Sequence, residues 1–177
     1  MIKKLILSFT LIAAALSSEA QSNTAAQKPL PIGPPQKNAI FFADSVKISR
    51  SDIQLIPIDN IASFTVIENK DAIIKAGYNG EMPLAYLETK AFARKRYQSF
   101  LSSRSSEYAS LLSNKSSEEG IIYILNEEVL GKSLERELAA INTESFIATK
   151  VVKGQDLPSK YKQGDPKFGV FITTKKL

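Results

Sequence analysis

The sequence predicts an α/β or α+β layering: two βαβ(α)β repeats packed together and joined by a longer amphipathic helix. Three observations lead there. The chain aligns with itself in three segments taken in the same order. Within each copy, short runs of β-branched and aromatic residues alternate with helical patterning, as expected of strands layered against helices. A stripe of Tyr and Leu at helical spacing lies between the copies.

The elements follow in chain order. Lys3 and Lys4 precede an apolar run from Leu5 to Leu16, then Ser17-Ser18-Glu19-Ala20, which is the pattern of a cleavable export signal over 1–20 with cleavage after Ala20. The apolar run is about twelve residues, short of the ~20 that a membrane-spanning helix needs. Residues 21–38 carry Lys28-Pro29-Leu30-Pro31-Ile32-Gly33-Pro34-Pro35, a proline-rich tether with too little apolar surface for a core.

The first repeat, 39–90, opens on the strand Ile40-Phe41-Phe42-Ala43 and a polar turn. Ser51-Asp52-Ile53-Gln54 has capping-box spacing for a short helix. A strand over 61–67, a helical turn ending near Tyr78-Asn79-Gly80, and a strand over 83–89 complete it. The second repeat, 121–177, reads the same way: strand 121–125, a helix marked by Leu134, Leu138 and Ile141, strand 146–152, a turn ending near Tyr161-Lys162-Gln163-Gly164, and strand 168–174. Ile56 to Ile67 aligns with Ile141 to Val152, Tyr86 to Lys90 with Phe171 to Lys175, and, after a small loop difference, Ile40 to Asp44 with Ile122 to Asn126. A repeat of roughly fifty residues buries little by itself, so the two are expected to pack together. Between them, over 91–120, Ala91 to Asn114 reads as one helix with Tyr97, Leu101, Tyr108 and Leu111 on its apolar face, then a loop.

Composition removes many chemistries. The 177 residues include no His and no Cys, so there is no imidazole relay, thiolate nucleophile, disulfide, zinc finger or iron–sulfur cluster. The carboxylate pairs Glu118-Glu119, Glu127-Glu128 and Glu135 with Glu137 read as surface charge, because adjacent residues point apart and a glycosidase needs two carboxyls facing across a cleft. The glycine-containing turns lack the Gly-Lys-Ser/Thr ending of a phosphate loop. No Asp-rich loop suggests a metal site. No catalytic, cofactor or metal residue is therefore expected.

The second repeat carries Ile141-Asn142-Thr143-Glu144-Ser145-Phe146, then Val151-Val152-Lys153-Gly154, Tyr161, Gly164, and Gly169-Val170-Phe171-Ile172-Thr173-Thr174-Lys175. This run resembles the later part of the plug domain of TonB-dependent outer-membrane receptors of the nutrient-uptake type. That family carries I-N-P-E-D-I-x-x-I-x-V-L-K, then Y-G, then G-V-I-x-I-T-T-K. The resemblance covers about a third of the chain well and the first repeat more weakly. Thr143 stands where the family has proline, Lys162 where it has glycine, and Asp165-Pro166 occupies the apical loop. In the family the plug is a small α/β globule filling a barrel lumen. A membrane barrel needs at least eight strands of about ten residues, and this sequence stops at Leu177. The resemblance thus implies a free-standing, duplicated plug-like protein without the barrel.

Charge is skewed. The chain carries +5 overall, or +4 once 1–20 is removed. From Ser145 to Leu177 seven lysines face Asp156 and Asp165, a local charge of +5, which leaves the rest of the mature chain near −1. Tyr161, Phe168 and Phe171 interleave with these lysines, a nucleic-acid-like composition, but the export signal argues against nucleic acid. Lys153, Tyr161, Lys162, Asp165, Lys167 and Phe168 are the candidate partner-binding residues, within a contact surface over 154–168.

The reading is a secreted, non-catalytic, plug-like binding or accessory module of a Gram-negative envelope, periplasmic, outer-membrane-associated or extracellular, with no cofactor and no transmembrane segment in the mature chain. Its partner is an envelope protein or ligand, an outer-membrane barrel among them. The alternative is an envelope enzyme with a Ser/Lys or carboxylate site.

Overall fold

The computed structural model describes residues 38–114 and 118–175; the predicted export signal, residues 21–37 of the tether, loop residues 115–117 and the last two residues lie outside the described residues. Two four-stranded mixed sheets form. The first contains β1 (Ile40–Ala43), β2 (Val46–Ile48), β3 (Ile61–Ile67) and β4 (Leu84–Thr89) in the order β2-β1-β4-β3. The second contains β5 (Ile121–Leu125), β6 (Glu128–Val129), β7 (Phe146–Lys153) and β8 (Phe168–Thr174) in the order β6-β5-β8-β7. Helices α1 (Arg50–Gln54) and α2 (Lys70–Lys75) belong to the first copy and α5 (Leu134–Ala139) to the second. α3 (Lys90–Arg104) and α4 (Ser106–Ser113) run between them.

The two sheets share their pairing residue by residue. Phe41 lies opposite Ala85 in the parallel pair β1/β4, and Tyr123 opposite Val170 in β5/β8. Phe64 faces Leu87 and Thr149 faces Ile172 in the antiparallel pairs, and both outer strands shift register at the same place, Ile61/Ser63 and Phe146/Ala148. A slip of one residue would turn every core side chain to the wrong face. The duplication in sequence is therefore a duplication of register, bulge included.

Three details depart from expectation. The predicted polar turns after β1 and β5 are tight hairpins that add a short fourth strand to each sheet. Asp44-Ser45 and Asn126-Glu127 hold successive positive φ angles (49° and 70°; 47° and 74°), the backbone of the mirror-image turns that match strand twist. Asp and Asn tolerate that region because their short polar side chains bond locally. The capping box belongs to Ser49 and Asp52 rather than to Ser51: the Asp52 N–H donates to Ser49 Oγ at 3.2 Å, and the Ser49 N–H to Asp52 Oδ2 at 3.1 Å. The Ser49 hydroxyl, donating to Asp52 Oδ2 at 2.6 Å, and then the Ser49 N–H hold the exposed Asp52 carboxyl below its ordinary pKa.

The predicted single helix over 91–114 breaks at Ser105, whose φ/ψ of −143°/110° is extended; it ends α3 through its N–H to Leu101 O and begins α4 by accepting the Tyr108 N–H. A straight helix of that length would run about 36 Å, longer than the roughly 27 Å of an eight-residue strand. The break keeps both halves on one sheet. All four residues of the predicted stripe, Tyr97, Leu101, Tyr108 and Leu111, are buried with Tyr123, Leu138, Val170 and Ile172 in the largest core cluster. The linking helices thus belong to the second sheet's core. The first sheet has its own smaller clusters, Phe41, Ile53, Ala85 and Leu87 on one face and Phe42, Ile73 and Leu84 on the other.

The copies are joined by Arg96 of α3. Its Nε pairs with Glu88 Oε1 at 2.7 Å, and its Nη2 donates to Glu88 Oε2 at 3.2 Å and to the Ala139 carbonyl at 2.9 Å. One guanidinium therefore ties β4 to the last residue of α5. Planar donor geometry makes arginine suited to that task.

Candidate functional site

The loop from β7 to β8 forms the candidate site. β7 ends at Lys153, and a 3₁₀ turn (Gly154–Asp156) follows. Leu157 is buried beneath it. A second 3₁₀ turn (Ser159–Tyr161) buries Tyr161, whose ring meets Phe171 edge-on at 5.3 Å and whose hydroxyl donates to the Glu127 carbonyl at 3.1 Å. The chain then turns through Gly164 and Asp165, both at positive φ, and returns over a buried Pro166 to β8.

Backbone bonds close the base of this loop. The Gly154 N–H donates to Lys167 O at 2.8 Å, and Lys167 and Phe168 both donate to Gly120 O, at 2.8 and 3.1 Å. The approach is so close that a Cβ on Gly154 would lie 1.8 Å from the Pro166 carbonyl oxygen. Only glycine fits there.

Above the base lies an open cleft of about 500 Å³ lined by Lys153, Gly154, Gln155, Lys162, Asp165, Pro166, Lys167 and Phe168. Five of the six sequence-predicted contact residues line it: Lys153, Lys162, Asp165, Lys167 and Phe168. The sixth, Tyr161, does not; it is a buried anchor that holds the loop to the sheet. Three lysines against one aspartate leave the lining net positive. Lys162 Nζ donates to Gln155 O at 2.8 Å, spanning the loop. Lys153 and Lys167 are exposed and have no ion-pair partner among the described residues. The Lys167 stem lies along Gly120, which leaves its ammonium toward water. Gly154, Gln155 and Pro166 fall within the contact surface predicted over 154–168 but were not among the named contact residues; they line the cleft because the loop closes on itself.

Two further cavities occupy equivalent places on the two sheets. One of about 350 Å³ lies over Ser63, Thr65, Tyr86 and Glu88; the other, of about 420 Å³, lies over Ala148, Lys150, Phe171 and Thr173. These positions face each other in the aligned repeats. Glu88 in the first is already paired with Arg96; the second is lined also by Val152, Asp156 and Pro158.

The carboxylates correct one expectation. Glu118 and Glu135, predicted as surface charge, turn inward onto Arg94: Nε lies 3.1 Å from Glu118 Oε2 and Nη2 2.6 Å from Glu135 Oε1. Glu118 also accepts from the Tyr97 hydroxyl at 2.9 Å and from the Tyr123 hydroxyl, and Tyr123 meets the Tyr108 hydroxyl at 2.8 Å. Burial, then the neighbouring Glu118 charge, pushes Tyr97 above the ordinary tyrosine pKa; burial does the same for Tyr108 and Tyr123. Each hydroxyl is occupied by a partner, so the group braces α3, α4, β5 and α5 against one another. Among the described residues, no group of three or more acidic side chains is placed to hold a metal ion, and no helix is long and apolar enough to cross a membrane.

Comparison of the chain with protein-family models, with curated proteins and with solved structures finds no match.

Proposed function

We propose that this protein is a secreted, non-catalytic binding or accessory module of a Gram-negative cell envelope, with a plug-like fold whose contact surface is the loop between β7 and β8. The observation that carries the reading is the cleft itself: Lys153, Lys162, Asp165, Lys167 and Phe168 converge on one cavity of about 500 Å³. The carboxylates Glu118 and Glu135 are engaged in bracing with Arg94. Ser159 and Lys160 sit in a surface turn, with Lys160 Nζ 4.7 Å above the Tyr161 ring. A cleft with exposed charge at its rim suits recognition, and such loops carry function on a rigid scaffold.

The test expresses the full chain with its own leader and uses the purified product as cross-linking bait against the solubilised envelope of its source. The expected result is a product beginning at Gln21 that captures an outer-membrane barrel or an energy-coupling protein, with capture lost when Lys153, Lys162 and Lys167 are changed to Glu. Capture unaffected by those changes, or no capture at all, overturns the reading.

A further inference from the structure

We infer that the cleft between β7 and β8 takes an acidic peptide segment of a partner protein, its spaced carboxylates meeting Lys153, Lys162 and Lys167. The inference rests on the binding-module reading above and adds the chemistry of the ligand.

The two repeats provide an internal comparison. In the first, the loop glycine four residues before the last strand, Gly80, is packed shut: a Cβ there would lie 2.8 Å from Lys70 Cγ and 3.3 Å from Ile74 Cγ1, both on α2. In the second, the aligned position is Asp165, itself at positive φ and lining the cleft, and nothing lies within 4 Å of a Cβ on the adjacent Gly164. Where the first copy has α2, the second has two 3₁₀ turns, and the cleft lies beside them.

The lining selects the ligand. Lysine ammonium groups attract anions as point charges without the paired, planar geometry of arginine. Among the described residues, Arg94 and Arg96 sit in salt bridges in α3, away from this loop. Lys153, Lys162 and Lys167 line the cleft together with Asp165. That aspartate repels a concentrated dianion such as phosphate, while carboxylates spaced along a chain can reach each lysine and avoid it. A bilayer surface fits less well. The exposed large apolar residues Val46, Leu55, Ile58, Ile74, Met82, Val129 and Ile147 all lie outside 153–168, so no apolar anchor accompanies the charge.

The experiment measures fluorescence anisotropy of a labelled peptide of Glu alternating with Ser, added to the purified chain. A Lys-for-Glu peptide, vesicles of phosphatidylglycerol and inorganic pyrophosphate are the competing probes. Binding of the acidic peptide is expected, weakened about tenfold by K153E/K167E and by raising ionic strength from about 0.05 to about 0.5 M. D165N is expected to tighten it about threefold. All three substitutions are at exposed side chains, and circular dichroism checks that the variants fold. Preference for vesicles or pyrophosphate, or acidic-peptide binding indifferent to the lysines, overturns the inference. Envelope capture that depends on these lysines, without any acidic-peptide binding, overturns the inference and leaves the binding-module reading standing; loss of both overturns both.

Discussion

Asn126 holds Thr174 by two hydrogen bonds, accepting the Thr174 N–H at Oδ1 (2.9 Å) and donating from Nδ2 to Thr174 Oγ1 (2.8 Å). Asp44 holds Thr89 in the same way in the first repeat, accepting its N–H at 2.7 Å and its hydroxyl at 2.8 Å. In both copies a hairpin residue at positive φ grips the last residue of the closing strand. Thr89 also caps α3 by accepting the Phe92 N–H, so the first clasp fixes where the linking helices begin.

Asn126→Ala should therefore lose two bonds and strain the turn, at a cost of about 2–3 kcal/mol. Asn126→Gly, which keeps the turn and loses only the bonds, should cost about half as much. Urea denaturation midpoints at equal slope check both. Equal stability of the alanine variant and the parent would remove the clasp from the account of the fold.

Gly154→Ala should cost about 1–3 kcal/mol by forcing the loop base apart against the Pro166 carbonyl. Gly131→Ala is the control: nothing lies within 4 Å of a Cβ there, and the lost chain entropy of glycine should leave stability unchanged or about 0.5 kcal/mol higher. Thermal unfolding of the two variants should separate them clearly.

Truncations in the tyrosine network should rank by how many partners each orphans. Glu118→Ala strands the Tyr97 hydroxyl and removes one of two partners from both Tyr123 and Arg94, and should cost about 3–5 kcal/mol. Tyr123→Phe breaks the link between Tyr108 and Glu118 and should cost about 2 kcal/mol; Tyr108→Phe, at the end of the series, about 1 kcal/mol. A reversed order in chemical denaturation contradicts the network as drawn.

The same tyrosines give the protein an alkaline limit. Their folded pKa values are raised above the unfolded value of about 10. The stability they contribute is fully present below that pH, where both states are protonated, and is lost above it as the unfolded chain alone ionises. The loss should reach about 1.4 kcal/mol per pH unit for each of the three. Tyrosinate absorbance followed with circular dichroism should show these three of the six tyrosines ionising only as the chain unfolds; early, independent ionisation would contradict their burial.

Sequence determined the repeat and most of its strands. β1, β3, β5 and β8 begin and end where β-branched and aromatic patterning places them, because strand residues alternate between faces and a duplicated pattern of burial writes itself twice. The stripe Tyr97-Leu101-Tyr108-Leu111 was legible for the same reason. Local chemistry left other features unread. The capping box admits either Ser49 or Ser51 by spacing, and Ser105 is as compatible with a helix interior as with a break, so packing length decided. The hairpins depended on Asp44 and Asn126 finding threonines 45 and 48 residues away. Basic character near the end of the chain was visible, and five of its predicted residues line one cleft. That Tyr161 anchors instead of contacting, and that Glu118 and Glu135 brace the core, followed only from tertiary contacts. Charge and periodicity are written in the order of residues, whereas burial of a polar group depends on which distant partner comes to meet it.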